Sequence, residues 1–228
     1  MKKTLASIAL TSLSLSASSV TIDSFNGNLM NGSINKVSDG SLCAPSNASG
    51  ATSAAIGDHR SLTATNGAGG CANADVNFTT ANAYSADLPI ASSGIFSVIW
   101  NANGAGLSTY MGSSLSLAGF QFWAQQDVNS PPSNAVSVSF KVCTSADGTT
   151  GCTTSSSVDV VNDGPSFDAY SATLNGLVQN VQYISMSLNA PAGRDITIDQ
   201  VNGEVPEPAT FAMAGLALVG IGLLRRRS

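Results

Sequence analysis

The sequence predicts an all-β protein: an antiparallel β-sandwich, wound as a jelly roll, between an N-terminal signal peptide and one C-terminal transmembrane helix. Three observations carry that prediction. Turn dipeptides recur at short intervals, the runs between them alternate apolar and polar, and each end of the chain carries an apolar stretch flanked by basic residues. Composition agrees. Charged residues make up 10 % of the 228 and aromatics 6 %, a balance that suits an exported, turn-rich β protein better than a cytosolic enzyme built of long charged helices.

The N-terminus reads Met1-Lys2-Lys3, then a Ser-rich apolar stretch from Leu5 to Leu15, then Ser16-Ala17-Ser18-Ser19. A basic head, a short apolar middle and small residues at the end form a secretory signal pattern. Ala17 and Ser19 at the −3 and −1 positions place the cut before Val20; Ser16 and Ser18 are a nearly equal choice. Residues 1–19 are therefore assigned to the signal peptide.

Residues 20–203 read as the extracellular domain. Asn-Gly occurs at 26–27, 31–32, 66–67, 103–104, 175–176 and 202–203, and Asp-Gly at 39–40, 147–148 and 163–164. Such pairs tolerate positive φ and are strong short-range hairpin signals. Short runs lie between them: Gly94–Trp100, Leu115–Ala124, Ala135–Cys143, Val181–Leu188 and Arg194–Val201. Val136, Val138, Phe140 and Val142 alternate with Ser137, Ser139 and Lys141, and Ile184, Met186 and Leu188 share one face. Period-two alternation argues for half-buried antiparallel strands. No sustained helical period and no repeat of 20–50 residues precedes residue 205, which excludes a solenoid or propeller and leaves a sandwich or barrel.

The four cysteines, Cys43, Cys71, Cys143 and Cys152, are an even number in an exported chain, which points to disulfides. If Asp147-Gly148 centres a hairpin, residues 143 and 152 stand opposite one another in a non-hydrogen-bonded pair, with Cα atoms ~4.5 Å apart. Cys143–Cys152 is then a cross-strand bridge, and Cys43–Cys71 follows by elimination. This register puts Val158 and Val160 on the face opposite Val142, so it requires a bulge further out. Metal binding by these cysteines lacks a Cys-x-x-Cys pair, and the only histidine is His59.

At the C-terminus, Val205-Pro206-Glu207-Pro208-Ala209-Thr210 leads through an apolar Gly/Ala/Leu stretch to Arg225-Arg226-Arg227. Pro206 and Pro208 suit a helix start, and Glu207 complements the positive end of a helix dipole. The 16 residues Ala209–Leu224 carry no charge. At 1.5 Å rise they span roughly 24 Å, a marginal length for a ~30 Å hydrocarbon core that snorkelling arginines and bilayer thinning make usable. Three arginines immediately beyond belong on the cytoplasmic side, which leaves the preceding domain outside. In motif, spacing and position, residues 204–228 resemble the PEP-CTERM sorting signal. That resemblance implies recognition by an exosortase, an integral-membrane cysteine peptidase, with the chain as its substrate and cleavage near Pro206-Glu207-Pro208. It also implies a Gram-negative producer of extracellular polysaccharide, and a protein anchored transiently in the inner membrane before it reaches the surface or matrix.

Several functions are excluded or disfavoured by the residues themselves. The whole chain has a net charge of −5, but residues 20–208 hold 14 acidic residues against Lys36, Arg60, Lys141 and Arg194, a net charge of −10. So acidic a domain will not track a phosphate backbone, and no nucleic-acid partner is expected. A histidine-dependent catalytic site would have to use His59, in Gly57-Asp58-His59-Arg60, which reads as a polar turn. No Gly-x-Ser-x-Gly or His-Glu-x-x-His motif occurs. Ahead of the motif the only glutamate is Glu204, so a glycosidase pair would need two aspartates from Asp159, Asp163 and Asp168. No catalytic residue is assigned, and the protein is expected not to be an enzyme. Trp100, Tyr110, Trp123 and Tyr170 are the candidates for a sugar-stacking face, with core packing as their alternative; since Trp123 follows Phe122, one of that pair faces away from the core. Calcium is the one cofactor the residues leave open, through Asp23, Asp195 or Asp199. The expected function is that of an exported, non-enzymatic surface or matrix protein linked to exopolysaccharide or biofilm. A carbohydrate-binding module is its first alternative and an Asp-based hydrolase its second.

Overall fold

A computed structural model describes residues 18–25, 46–66, 73–75, 84–87, 94–126, 135–161, 166–191 and 196–206. The elements in chain order are β1 (Ser18–Asp23), β2 (Ser46–Ala51), β3 (His59–Asn66), β4 (Asn73–Asp75), β5 (Tyr84–Asp87), β6 (Gly94–Trp100), α1 (Leu107–Met111), β7 (Leu117–Gln126), β8 (Val136–Cys143), β9 (Thr153–Thr154), β10 (Val158–Val160), β11 (Asp168–Val178), β12 (Tyr183–Ala190) and β13 (Ile196–Val205). The single-turn helix α1 is too short to leave a helical period in the sequence. The predicted strands at 94–100 and 135–143 are present, and those at 115–124, 181–188 and 194–201 extend further towards the C-terminus than their alternation alone suggested.

Two sheets face one another. One has the order β11-β7-β13-β5-β4, with β1 also paired to β13; the other has β10-β8-β12-β6-β3-β2, with β9 paired to β8. The neighbours β11–β7–β13–β5 and β10–β8–β12–β6 run antiparallel. From β5 to β8 the chain alternates between sheets. The last two strands then return, β12 between β6 and β8 and β13 between β5 and β7, which is the interleaved winding of a jelly roll. The strands lie in one compact unit, Ser19–Val205.

Alternation decides which side chains meet between the sheets. Phe120 and Phe122 of β7 and Phe140 of β8 are fully buried. Phe120 stacks on Phe140 across the interface at 4.2 Å and 10°, and Phe122 meets the same ring tilted at 5.6 Å. Each ring thus buries a large apolar area, and the tilted Phe122–Phe140 pair has a geometry that aromatic quadrupoles favour. Val136, Val138 and Val142, with Ile184, Met186 and Leu188, complete this layer as their spacing predicts.

The hairpin register at the cysteines is as predicted, although the turn differs. Lys141 pairs with Thr154 and Val142 with Thr153, which sets 143 opposite 152, and Cys143–Cys152 is a disulfide with Cα atoms 4.1 Å apart. The chain reverses through Ser145–Gly148, closed by Gly148 N–H donating to the Ser145 carbonyl at 3.1 Å, rather than through a two-residue Asp147-Gly148 turn. Asp147 caps this loop, accepting from the Ser145 and Thr149 hydroxyls and the Thr149 N–H, and those donors hold its carboxyl below the usual aspartate value. The bulge required beyond the cysteines is present. Register moves by one residue between β9 and β10, where Val158 meets Val138 and Val160 meets Val136. Ser155 fills the gap: its N–H donates to the Phe140 carbonyl, and its Oγ accepts from the Phe140 N–H.

Two Asn-Gly pairs do not form the turns predicted for them. Asn175-Gly176 lies inside β11, where the pairing with β7 shifts between Thr173 and Val178 and Gly176 has φ +99°. Asn202-Gly203 lies within β13, paired with Gln121 and Phe120. A Cβ on Gly203 would stand 2.6 Å from Leu117 Cδ2 and 3.1 Å from Ile22 Cδ1. Here glycine serves close packing rather than chain reversal. Asn103-Gly104 is a turn, both residues having positive φ.

Among the described residues no helix is long and apolar enough to cross a membrane. The predicted signal residues 1–17 and the predicted span 209–224 lie outside them, as do Cys43 and Cys71. β1 begins at Ser18, two residues ahead of the expected cut; Ser18 and Ser19 are exposed, and Ile22 is buried.

Candidate functional site

The four aromatic candidates do not share a face. Trp100 ends β6 on its inward side and is fully buried, with Nε1–H donating to Asp23 Oδ2 at 2.7 Å. Asp23 is equally buried. It forms an ion pair with Arg60, and its Oδ1 also accepts from the Phe25 N–H at 2.8 Å. The Arg60 guanidinium lies 4.8 Å from the Phe25 ring centroid. Burial pushes the Asp23 carboxyl up, against the opposing pull of the Arg60 charge and the N–H donors. Trp100 is thus a core residue whose polar edge helps satisfy a buried carboxylate, and it leaves the sugar-stacking set. The same geometry removes Asp23 from the calcium set, because both its oxygens and its charge are already engaged.

Tyr170 is also a packing residue. Its ring stacks on Phe122 at 5.5 Å and its hydroxyl donates to the Val161 carbonyl at 3.5 Å. Tyr110 stands apart on α1, 51 % exposed, with its hydroxyl donating to Asp58 Oδ2 at 2.7 Å; that carboxylate raises the tyrosine pKa. Trp123 points away from the core on β7, between the buried Phe122 and Ala124, and is half-buried.

Among the described residues, the candidate aspartates and the histidine lie on separate strands. Asp159 lies on β10 of one sheet and Asp168 on β11 of the other, while Asp163 and Asp195 lie outside the described residues. His59 opens β3 half-buried; burial lowers its pKa, and Nδ1 has no hydrogen-bond partner. Asp199 sits in a bulge of β13 opposite Trp123, between the Ile198–Ala124 and Gln200–Trp123 pairs, and burial raises its carboxyl. Among the described residues no three His, Cys, Asp or Glu side chains gather to hold a metal ion.

Residues not singled out from the sequence surround Trp123. Gln121 and Gln125 share its face of β7, and cross-strand pairing brings Thr197 opposite Gln125, Gln200 opposite Trp123 and Asn202 opposite Gln121. The β7 half of this row was legible in the alternation Gln121-Phe122-Trp123-Ala124-Gln125. The β13 half was hidden by the bulge at Asp199, which resets the alternation midway along the strand.

The sorting segment begins where the sandwich ends. β13 runs to Val205, and Pro206 follows directly; Glu207, Pro208, Ala209, Thr210 and Arg225–Arg227 lie outside the described residues. Glu204 extends over β7, with Oε2 2.8 Å from where a Cβ on Gly119 would stand.

Among the curated proteins nothing matches the chain. Solved structures give weak likenesses. One is the family 11 carbohydrate-binding module of the cellulosomal cellulase Lic26A-Cel5E of Clostridium thermocellum, at 10 % identity over 84 % of this chain and 96 % of that one, with a TM-score of 0.37. Another is the K1 cleaved adhesin domain of Lys-gingipain from Porphyromonas gingivalis W83, at 12 % identity over 82 % and 98 %, with a TM-score of 0.34. A third is TmCBM61 in complex with β-1,4-galactotriose, at 16 % identity over 54 % and 70 %, with a TM-score of 0.31. TM-scores of this size assign neither a fold nor a ligand to this chain. The C-terminal segment is different, because a family model matches it at the position expected from its residues. Residues 204–227 are a PEP-CTERM protein-sorting motif, whose first two residues are the last two of β13.

Proposed function

We propose that this is an exported surface protein, handled at the inner membrane as the substrate of an exosortase and trimmed near Pro206-Glu207-Pro208. Its sandwich then serves a non-enzymatic structural or interaction role in the exopolysaccharide or biofilm matrix of a Gram-negative cell. The observation that carries this reading is the sorting motif at 204–227. Its parts have separable tasks: Arg225–Arg227 stop export, the apolar residues 209–224 hold the chain in the bilayer, and the two prolines keep the intervening backbone extended. Because β13 ends at Val205, a cut at Pro206–Pro208 leaves every described strand intact. A second reading, carbohydrate binding, is favoured by the outward orientation of Trp123.

Replacing Pro206, Glu207 and Pro208 together with alanine in the producing organism tests the sorting step. The variant is expected to accumulate in the membrane fraction at its untrimmed mass, while the wild type is trimmed and leaves that fraction. Equal trimming and release of the variant would overturn the assignment.

A further inference from the structure

The face of β7 and β13 that turns away from the core has a composition suited to one kind of ligand. Along β7, Gly119, Gln121, Trp123 and Gln125 point the same way. At ~3.4 Å per residue they form a track roughly 20 Å long. On one side β13 sets Glu204, Asn202, Gln200 and Thr197 against them. On the other side β11 sets Thr173, Ser171 and Ala169 against Gly119, Gln121 and Trp123, all three small and exposed. Trp123 is therefore walled by amides on one flank and open above small residues on the other.

The polar groups on this track are arranged rather than scattered. Gln200 Nε2 donates to Asn202 Oδ1 at 2.8 Å, which orients the remaining Gln200 acceptor and the Asn202 donors. Gln125 Oε1 is buried and has no donor. Among the described residues, β7, β11 and β13 contain no lysine or arginine, whereas Glu204 and Asp199 are acidic.

We propose that this face binds a neutral polysaccharide strand, Trp123 stacking on a sugar ring while Gln121 and Gln200 pair with ring hydroxyls. The inference rests on reading the chain as an extracellular protein that works beside polysaccharide. A flat aromatic ring covers the C–H face of a sugar. Each amide offers both donors and acceptors, as a hydroxyl requires. An anionic polymer is disfavoured by Glu204, Asp199 and the acidity of the whole domain. Tyr110, away from this row on α1, takes no part.

The test uses the mature protein recovered from the cell, run in affinity gels containing neutral glucans, galactans, mannans or xylans, with dextran sulfate as the anionic control. At least one neutral polymer is expected to retard it, and dextran sulfate is not. Trp123→Ala should weaken retention about tenfold or more, the scale of a lost aromatic contact. Gln200→Ala should weaken it several-fold, and Tyr110→Ala should leave it unchanged. Bound polymer should also shield tryptophan emission from acrylamide in the wild type and not in Trp123→Ala, since the remaining Trp100 is buried; thermal melting confirms that each variant is folded. Absence of retardation across the neutral panel overturns the proposal, as does undiminished retention of folded Trp123→Ala. Self-association that Trp123→Ala abolishes, without polymer binding, assigns the face to a second copy and overturns it too. C-terminal trimming is read separately by mass, so a trimmed protein that no polymer retains contradicts this inference and leaves the sorting reading standing.

Discussion

Two tryptophans show how little a residue's type says until its parity and partners are known. Trp100 and Trp123 both sit in apolar strands, yet one is sealed in the core and the other faces outward. In β6 the outward positions Ile95 and Ile99 are themselves apolar, so alternation alone could not orient Trp100. Its acceptor, Asp23, lies 77 residues away, and no local pattern announces that contact. The Asp23–Arg60 pair it completes is fully buried, which sets up a strong asymmetry. Removing one partner leaves an uncompensated charge in the core, whereas replacing both need cost little. Asp23→Asn is therefore expected to lower unfolding free energy by about 3 kcal/mol or more, measured by urea denaturation. Adding Arg60→Met in the same chain should recover much of that loss. A near-neutral Asp23→Asn would show that the pair is not desolvated as described.

Elements were more legible where their partners were close in sequence. The run Val136–Cys143 and the cysteine spacing sufficed to set β8 against Cys152, and the mismatch of Val158 and Val160 required the bulge that Ser155 occupies. Such inferences work because a hairpin register is fixed by local counting and each strand must keep one apolar face. The same counting failed for Asn175-Gly176, which lies in the register shift of β11, and for Asn202-Gly203, where close packing put glycine inside a strand. It failed again for β13 as part of a ligand face, because the bulge at Asp199 sits opposite a strand some 75 residues away in the chain. The disulfide belongs to this scale as well. Closing a loop of about ten residues restricts the unfolded chain enough to contribute ~2–3 kcal/mol. Replacing Cys143 and Cys152 together with alanine should lower the denaturation midpoint by a corresponding amount while the far-UV circular dichroism stays that of a β protein.

At the scale of the molecule, the fold and the fate of the chain are specified in different places. Charge scarcity, turn spacing and alternation indicate a sandwich. The order of its strands emerges only from long-range pairing, in which β12 and β13 return between strands laid down as much as about 110 residues earlier. The C-terminal signal needs no such context. Its order of prolines, apolar residues and arginines is linear information, readable without the fold, and it matches the PEP-CTERM model over residues 204–227. The structure adds where that signal begins: at the last two residues of β13, a strand held by β7, β5 and β1. Removal of everything beyond residue 208 is therefore compatible with an undisturbed sandwich. The most direct test is the intact mass of the protein isolated from the cell surface or medium, with its C-terminal peptide sequenced. The expected result is a chain that ends near Pro206–Pro208. A mature surface protein that retains Arg225-Arg226-Arg227 would contradict processing and leave a permanently anchored tail.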